Sequence, residues 1–116
     1  MSVKILIKRK IPTEKVNDVV VLMMRLRALA SKEPGFITGE TLRSLSDPQN
    51  YLVISTWETI EDWNAWLASE DKKIVQEKID KILGTETGYE AFNYPEKRRI
   101  NWPKLSEGLL MMEEEE

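Results

Sequence analysis

The period of the apolar positions changes several times along the chain, and each change marks an element. At the start Val3, Ile5 and Ile7 alternate with Lys4, Leu6 and Lys8, and Pro12 closes the run, so residues 3–10 read as a β-strand. Beyond it Val16, Val19, Val20, Met23, Leu26 and Ala30 recur at three-and-four spacing, with Thr13 placed to cap a helix that Glu33-Pro34-Gly35 ends. The Val19 to Val21 run alone would favour a strand, but the longer periodic pattern around it outweighs that local preference. Residues 36–45 and 51–58 read as two strands joined by the turn Asp47-Pro48-Gln49-Asn50. Thr59, with Asp62 three residues on, opens a short helix that runs through Ala68. Ser69 caps a longer one, with Val75, Ile79, Ile82 and Leu83 as its apolar stripe and Gly84 as its stop. Residues 85–94 read as the last strand.

The order β-α-β-β-α-β is that of a ferredoxin-like α+β sandwich, with one domain over residues 1–94. Residues 95–116 form a C-terminal extension with an acidic end, Glu113 to Glu116. It is either docked through Ile100, Trp102 and the cluster Leu109 to Met112 or left unfolded. Alternation also says what the sheet lacks. In the third strand Tyr51, Val53, Ser55 and Trp57 point one way while Leu52, Ile54 and Thr56 point the other, and Leu6 does the same in the first. Two helices cover one face only, so the second calls for another copy of the sheet, which predicts a homodimer.

Composition narrows the chemistry. The 116 residues include no histidine and no cysteine. This rules out disulfides, a thiol nucleophile, a Ser-His-Asp triad and imidazole or thiolate ligation of zinc or haem iron. Proton transfer falls to Asp, Glu, Lys, Tyr, water or the substrate itself. Residues 1–94 carry 13 Lys or Arg and 14 Asp or Glu, so the body is close to neutral and no basic stripe argues for nucleic acid. Lys8-Arg9-Lys10 reads as a solvated strand end. No apolar run approaches the ~20 residues of a membrane span, and the N-terminus lacks the apolar stretch of a signal peptide. A soluble cytoplasmic protein, without nucleic-acid or membrane partners, is the expectation.

Pro34-Gly35-Phe36, then Asp47-Pro48, then Tyr51-Leu-Val-Ile-Ser-Thr-Trp57-Glu58, then Trp63 and Trp66-Leu67-Ala68-Ser69 resemble the antibiotic biosynthesis monooxygenase (ABM) family. The resemblance extends over residues 3–94 and implies a dimeric α+β barrel in which each unit keeps a pocket between sheet and helices. It also implies two kinds of activity. One is cofactor-independent oxidation of phenols by dioxygen, in which an Asn and a Trp stand one helical turn apart. Asp62 and Trp66 meet that spacing here, so Trp66 carries over while Asp62 is a substitution. The other is haem degradation, whose axial His falls at Gln76 and whose first-strand Asn falls near Ile7, so that branch is disfavoured.

The resulting expectation is a cofactorless monooxygenase acting on a small aromatic or quinol-type substrate, with a non-catalytic ligand-binding or dimerisation module on the same fold as the alternative. Asp62 and Trp66 are the candidate catalytic residues, with Trp63, Tyr51, Ser55 and Gln76 as pocket candidates, and no cofactor or metal is called for. By composition alone Trp63 and Trp66 are core residues, and Asp62 serves equally well as a helix cap.

Overall fold

The computed structural model describes residues 2–95, so the expected behaviour of the extension beyond Pro95 lies outside the described residues. Four strands form one antiparallel sheet in the order β2-β3-β1-β4, with β1 at Val3–Lys10, β2 at Phe36–Arg43, β3 at Asn50–Trp57 and β4 at Glu90–Asn93. Three helices lie on one side: α1 at Val16–Ala30, α2 at Ile60–Leu67 and α3 at Glu70–Leu83. This is the ferredoxin-like α+β arrangement that the order of elements predicts.

The register sorts the side chains into two faces. Ile5 pairs with Ser55 and Ile7 with Val53, and these rows face the helices, where Ile5, Ile7, Val53 and Trp57 are buried with Val19 and Met23 of α1 and Ile79 of α3. The opposite rows, Lys4 with Thr56, Leu6 with Ile54 and Lys8 with Leu52, have no helix over them among the described residues. There Leu6, Leu52 and Ile54 are half-buried, while Leu42 and Phe92 are exposed. Thr56 on this face is buried and accepts a 3.0 Å hydrogen bond from Lys4 Nζ.

The capping chemistry is local and specific. The Thr59 hydroxyl accepts from Asp62 N at 3.1 Å and donates to Asp62 Oδ2 at 2.9 Å, closing the first turn of α2 on itself. Ser69 Oγ accepts from Lys72 N at 3.2 Å at the head of α3, and Gly84 ends that helix in the left-handed conformation at φ 73°. Lys15 Nζ donates to the Ile82 carbonyl at 2.8 Å, tying the entry of α1 to the last turn of α3.

Three expectations about boundaries are corrected. Thr13 does not cap α1; Lys15 N bonds to Pro12 O at 2.9 Å, so Thr13–Lys15 form a 3-10 turn and the α-helix begins at Val16. Strand β2 stops at Arg43, because Ser44 Oγ accepts from both Ser46 N and Asp47 N and turns the chain before Leu45. Strand β4 has four residues, not ten, because Thr87 and Tyr89 bond to side chains of α3 instead of joining the ladder.

Gly35 sits at φ 84° against the Asp62 carboxylate, where a Cβ would overlap it, whereas a Cβ on Gly84 would meet open space. Both positions share the left-handed penalty of about 1–2 kcal/mol for a residue with a Cβ, and only Gly35 adds a clash. Gly35→Ala should therefore lower the unfolding free energy more than Gly84→Ala, by at least about 1 kcal/mol, measured as urea midpoints at unchanged slope.

Candidate functional site

Trp57 is fully buried at the end of β3, with its indole N–H donating to Ser55 Oγ at 3.1 Å. Around it stand Phe36 at 5.3 Å between ring centroids, Trp63 at 5.9 Å and Trp66 at 6.4 Å, the last nearly parallel at 24°. Trp63 in turn meets Tyr89 edge-on at 5.2 Å. Such pairs add about 0.5–1.5 kcal/mol each beyond the area they bury. Positions 63 and 66 of α2 lie three residues apart and so share the helix face that looks onto Trp57.

These rings form one wall of a pocket between the sheet and the helices, with about 520 Å³ of empty space including its open mouth. Ile7, Val53 and Ser55 come from the sheet side, and Met23, Leu26 and Arg27 from α1. The far end is polar: Arg9 from β1, Lys72 and Gln76 from α3, and Tyr89 from the segment before β4. Arg9 and Lys72 are only 7% and 4% exposed, which is rare for cations and calls for partners.

Their shared partner is one oxygen. Gln76 Oε1 accepts from Arg9 Nη2 at 3.2 Å, from Lys72 Nζ at 3.4 Å and from the Tyr89 hydroxyl at 3.2 Å. Its amide nitrogen donates to Asp80 Oδ1 at 2.9 Å and to Thr87 Oγ1 at 2.6 Å, which fixes the orientation of the amide. Lys72 Nζ also bonds to the Tyr89 hydroxyl and lies 4.6 Å from the centroid of that ring. A carbonyl oxygen has two lone pairs and here meets three donors, while Arg9 Nε is buried with no partner among the described residues.

Burial pushes Lys72 down to about 8, and the nearby charge of Arg9 pushes the same way against the opposing pull of Asp80. Burial likewise lowers Arg9, with Tyr89 and Asp80 opposing. It raises Tyr89 to about 12, partly countered by Arg9. Lys72 is thus an amine that can both hold and release a proton near neutral pH, with a fixed charge beside it.

Of the residues singled out in the sequence, Trp63, Trp66, Ser55 and Gln76 line this pocket. Asp62 does not; it is held in the cap of α2 by Thr59. Tyr51 is not in that lining; it pairs across the strands with Arg9 and lines an adjoining depression with Lys8, Arg9, Lys10 and Asn50. Arg9 and Lys72 were not among the residues singled out. Both were within reach of pattern, since Arg9 continues the inward alternation of Ile5 and Ile7, and Lys72 stands three and four residues before Val75 and Gln76 on the buried stripe of α3.

A haem iron does not fit these residues. Position 76 would supply its axial ligand, but the amide there is committed on its oxygen to Arg9, Lys72 and Tyr89 and on its nitrogen to Asp80 and Thr87, and two cations stand beside it.

The sequence model of the antibiotic biosynthesis monooxygenase family matches residues 2–78. No curated protein matches the chain in sequence. Among solved structures, a conserved protein from Methanosarcina mazei Go1 superposes with a TM-score of 0.75 at 19% identity, covering 82% of this chain and 94% of that one. SnoaB, a cofactor-independent oxygenase from Streptomyces nogalater, gives 0.72 at 16% identity, with 83% and 95% covered. A protein from Nitrosomonas europaea described as a putative antibiotic biosynthesis monooxygenase gives 0.72 at 13% identity, with 80% and 89% covered. At these identities the superpositions speak for the fold.

The lowered Lys72 has a measurable consequence. Its pKa is depressed on folding, so the unfolded chain binds more protons between about pH 8 and the ordinary value of 10.5, and stability rises with pH across that window. Holding Lys72 charged costs up to about 3 kcal/mol at pH 7. Above pH 10 Tyr89 acts in the opposite sense, because its folded form resists ionisation. Urea unfolding at pH steps from 7 to 10 should show the rise in the wild type and lose it in Lys72→Met; an equal slope in both would contradict the assignment.

Proposed function

The chain belongs to the antibiotic biosynthesis monooxygenase family, and from its pocket we propose that it is a cofactor-independent monooxygenase acting on a small aromatic or quinol-type substrate. The observation that carries this reading is the pairing of an indole wall with two buried cations in one open pocket. Trp66 and Trp63 orient the substrate ring by stacking and edge contact, which supports a fixed attack geometry. Its hydroxyl is set at the polar end. There the Lys72 amine, at about 8, shares the phenolic proton, and Arg9 keeps the resulting oxyanion favourable.

The ionised ring is the electron source. In a phenol whose para carbon bears hydrogen, it donates to dioxygen, and one oxygen atom enters that carbon as a carbonyl. The hydrogen of that carbon and the hydroxyl proton leave with the second oxygen atom as water. A phenol plus dioxygen thus becomes a quinone plus water, and the protein contributes orientation, charge and shelter from bulk water. In this reading Asp62 serves through the position of α2, because its carboxylate closes the cap that sets the angle of Trp66.

The uncovered sheet face supports a homodimer as the working form, with Leu6, Leu52 and Ile54 at its centre. Light scattering at micromolar concentration should give twice the chain mass, and Ile54→Lys should reduce it to one; a monomeric wild type would contradict the dimer.

Oxygen consumption with a panel of mono- and dihydroxyaromatics tests the activity. Uptake should require one of these substrates and fall about 10²-fold in kcat/KM in Trp66→Ala, at unchanged substrate-independent background. Saturable binding without oxygen uptake from any phenol would leave a ligand-binding module in place of an enzyme.

A further inference from the structure

Charge along the pocket is one-sided. Among the described residues its lining holds Arg9, Arg27 and Lys72 and not one Asp or Glu, in a protein whose formal net charge is −3. Arg27 is half-buried at the α1 side, where its guanidinium donates to Gly39 O at 3.1 Å and to Thr41 Oγ1 at 2.7 Å, both uncharged. The nearest carboxylate to the polar end, Asp80, stands behind Gln76 and spends its Oδ1 on Gln76 Nε2 and Thr87 Oγ1. Against Arg9 and Lys72 it leaves one positive charge uncompensated.

The hydrogen-bond count gives the same answer independently. Arg9 and Lys72 bring eight N–H donors between them. Among the described residues, their acceptor apart from the Tyr89 hydroxyl is the single oxygen of Gln76, and Arg9 Nε, in a side chain more than nine-tenths buried, has none. Unmet donors on buried cations cost stability and persist where a ligand meets them. A phenolate brings one oxygen to this end; a carboxylate brings two, in the planar spacing that a guanidinium edge recognises.

We propose that the pocket's ligand is a planar aromatic carboxylate, held with its carboxylate against Arg9 and Lys72 and its ring against Trp57, Trp63 and Trp66. This deepens the reading of the pocket as a site for an oxidisable aromatic and rests on it for the ring's berth. The substrate is then an aromatic hydroxy acid whose carboxylate anchors it while the ring is oxidised. The acid recruits the surplus donors, cancels the excess charge and turns two costly cations into binding energy.

Anaerobic binding of 2-naphthoate and of its neutral counterpart 2-naphthamide, followed by calorimetry and tryptophan fluorescence, separates charge from shape. The acid should bind at least tenfold more tightly than the amide, and Arg9→Met or Lys72→Met should shrink that ratio below threefold. Neither variant should melt below the wild type, since each removes a buried charge lacking its counterion. The ligand stays ionised throughout, so pH reports the protein. The charged and titratable groups facing Lys72 are Arg9 from β1, Asp80 on α3 and Tyr89 before β4, with Arg27 across the pocket. Lys72, lowered to about 8, gives up its proton between pH 7 and 9, so affinity for the acid should fall about tenfold over that range in the wild type and stay flat in Lys72→Met. Equal affinity for acid and amide, no binding of either, or a preference that survives in both variants would overturn the inference. Its failure and that of the monooxygenase reading are distinguishable. A neutral phenol oxidised by a protein indifferent to the carboxylate discards the anion site alone, whereas selective acid binding with no oxygen uptake from any hydroxy acid discards the oxidation alone.

Discussion

The side-chain amide of Gln76 is where three parts of the chain are held together. Its oxygen takes donors from β1 and from the segment before β4, and its nitrogen is anchored within α3 and on Thr87. Without it, two cations would face each other under the helices with no common acceptor. With it, they are held at one end of a pocket whose other walls are apolar, at the price of more donors than acceptors. That imbalance shapes the rest of the site. It leaves Arg9 Nε without a partner among the described residues, while burial lowers Lys72 and raises Tyr89, so the polar end is poised for a negatively charged oxygen.

The aromatic half of the pocket follows from the fold more directly. Strand alternation turns Trp57 toward the helices, and the cap at Thr59 fixes where α2 begins and hence which of its residues meet Trp57. The indoles are thus core and wall at once: they are buried on composition's terms, yet one side of the cluster borders open space. Fold and family membership fix this framework, while the identity of the ligand rests on the residues at the polar end, because one framework hosts many chemistries.

Much of the framework was legible in the sequence because it is written in short-range pattern. Alternation in β1 and β3, the caps Thr59 and Ser69 and the stop at Gly84 all act within a few residues and appear where expected. The failures have a common cause in tertiary contact. Thr87 and Tyr89 have strand-like propensity, but α3 offers them side-chain partners and the strand begins only at Glu90. Arg9 and Lys72 look like surface residues because cations usually are. Alternation and the helical stripe put both inside. Trp66 and Gln76 were reached through family resemblance, and Asp62 by the same route, though the structure places it in the cap and away from the pocket.

The most direct test of this account is the titration of the Lys72 ammonium itself, followed by NMR on selectively labelled lysine with Lys72→Met as the assignment control. In the free protein the group should titrate near 8, and saturation with an aromatic carboxylate should move it upward as the missing negative charge arrives. A Lys72 that titrates at the ordinary 10.5 in the free protein, unmoved by such a ligand, would mean that the cation is solvated and that the pocket has no built anionic end.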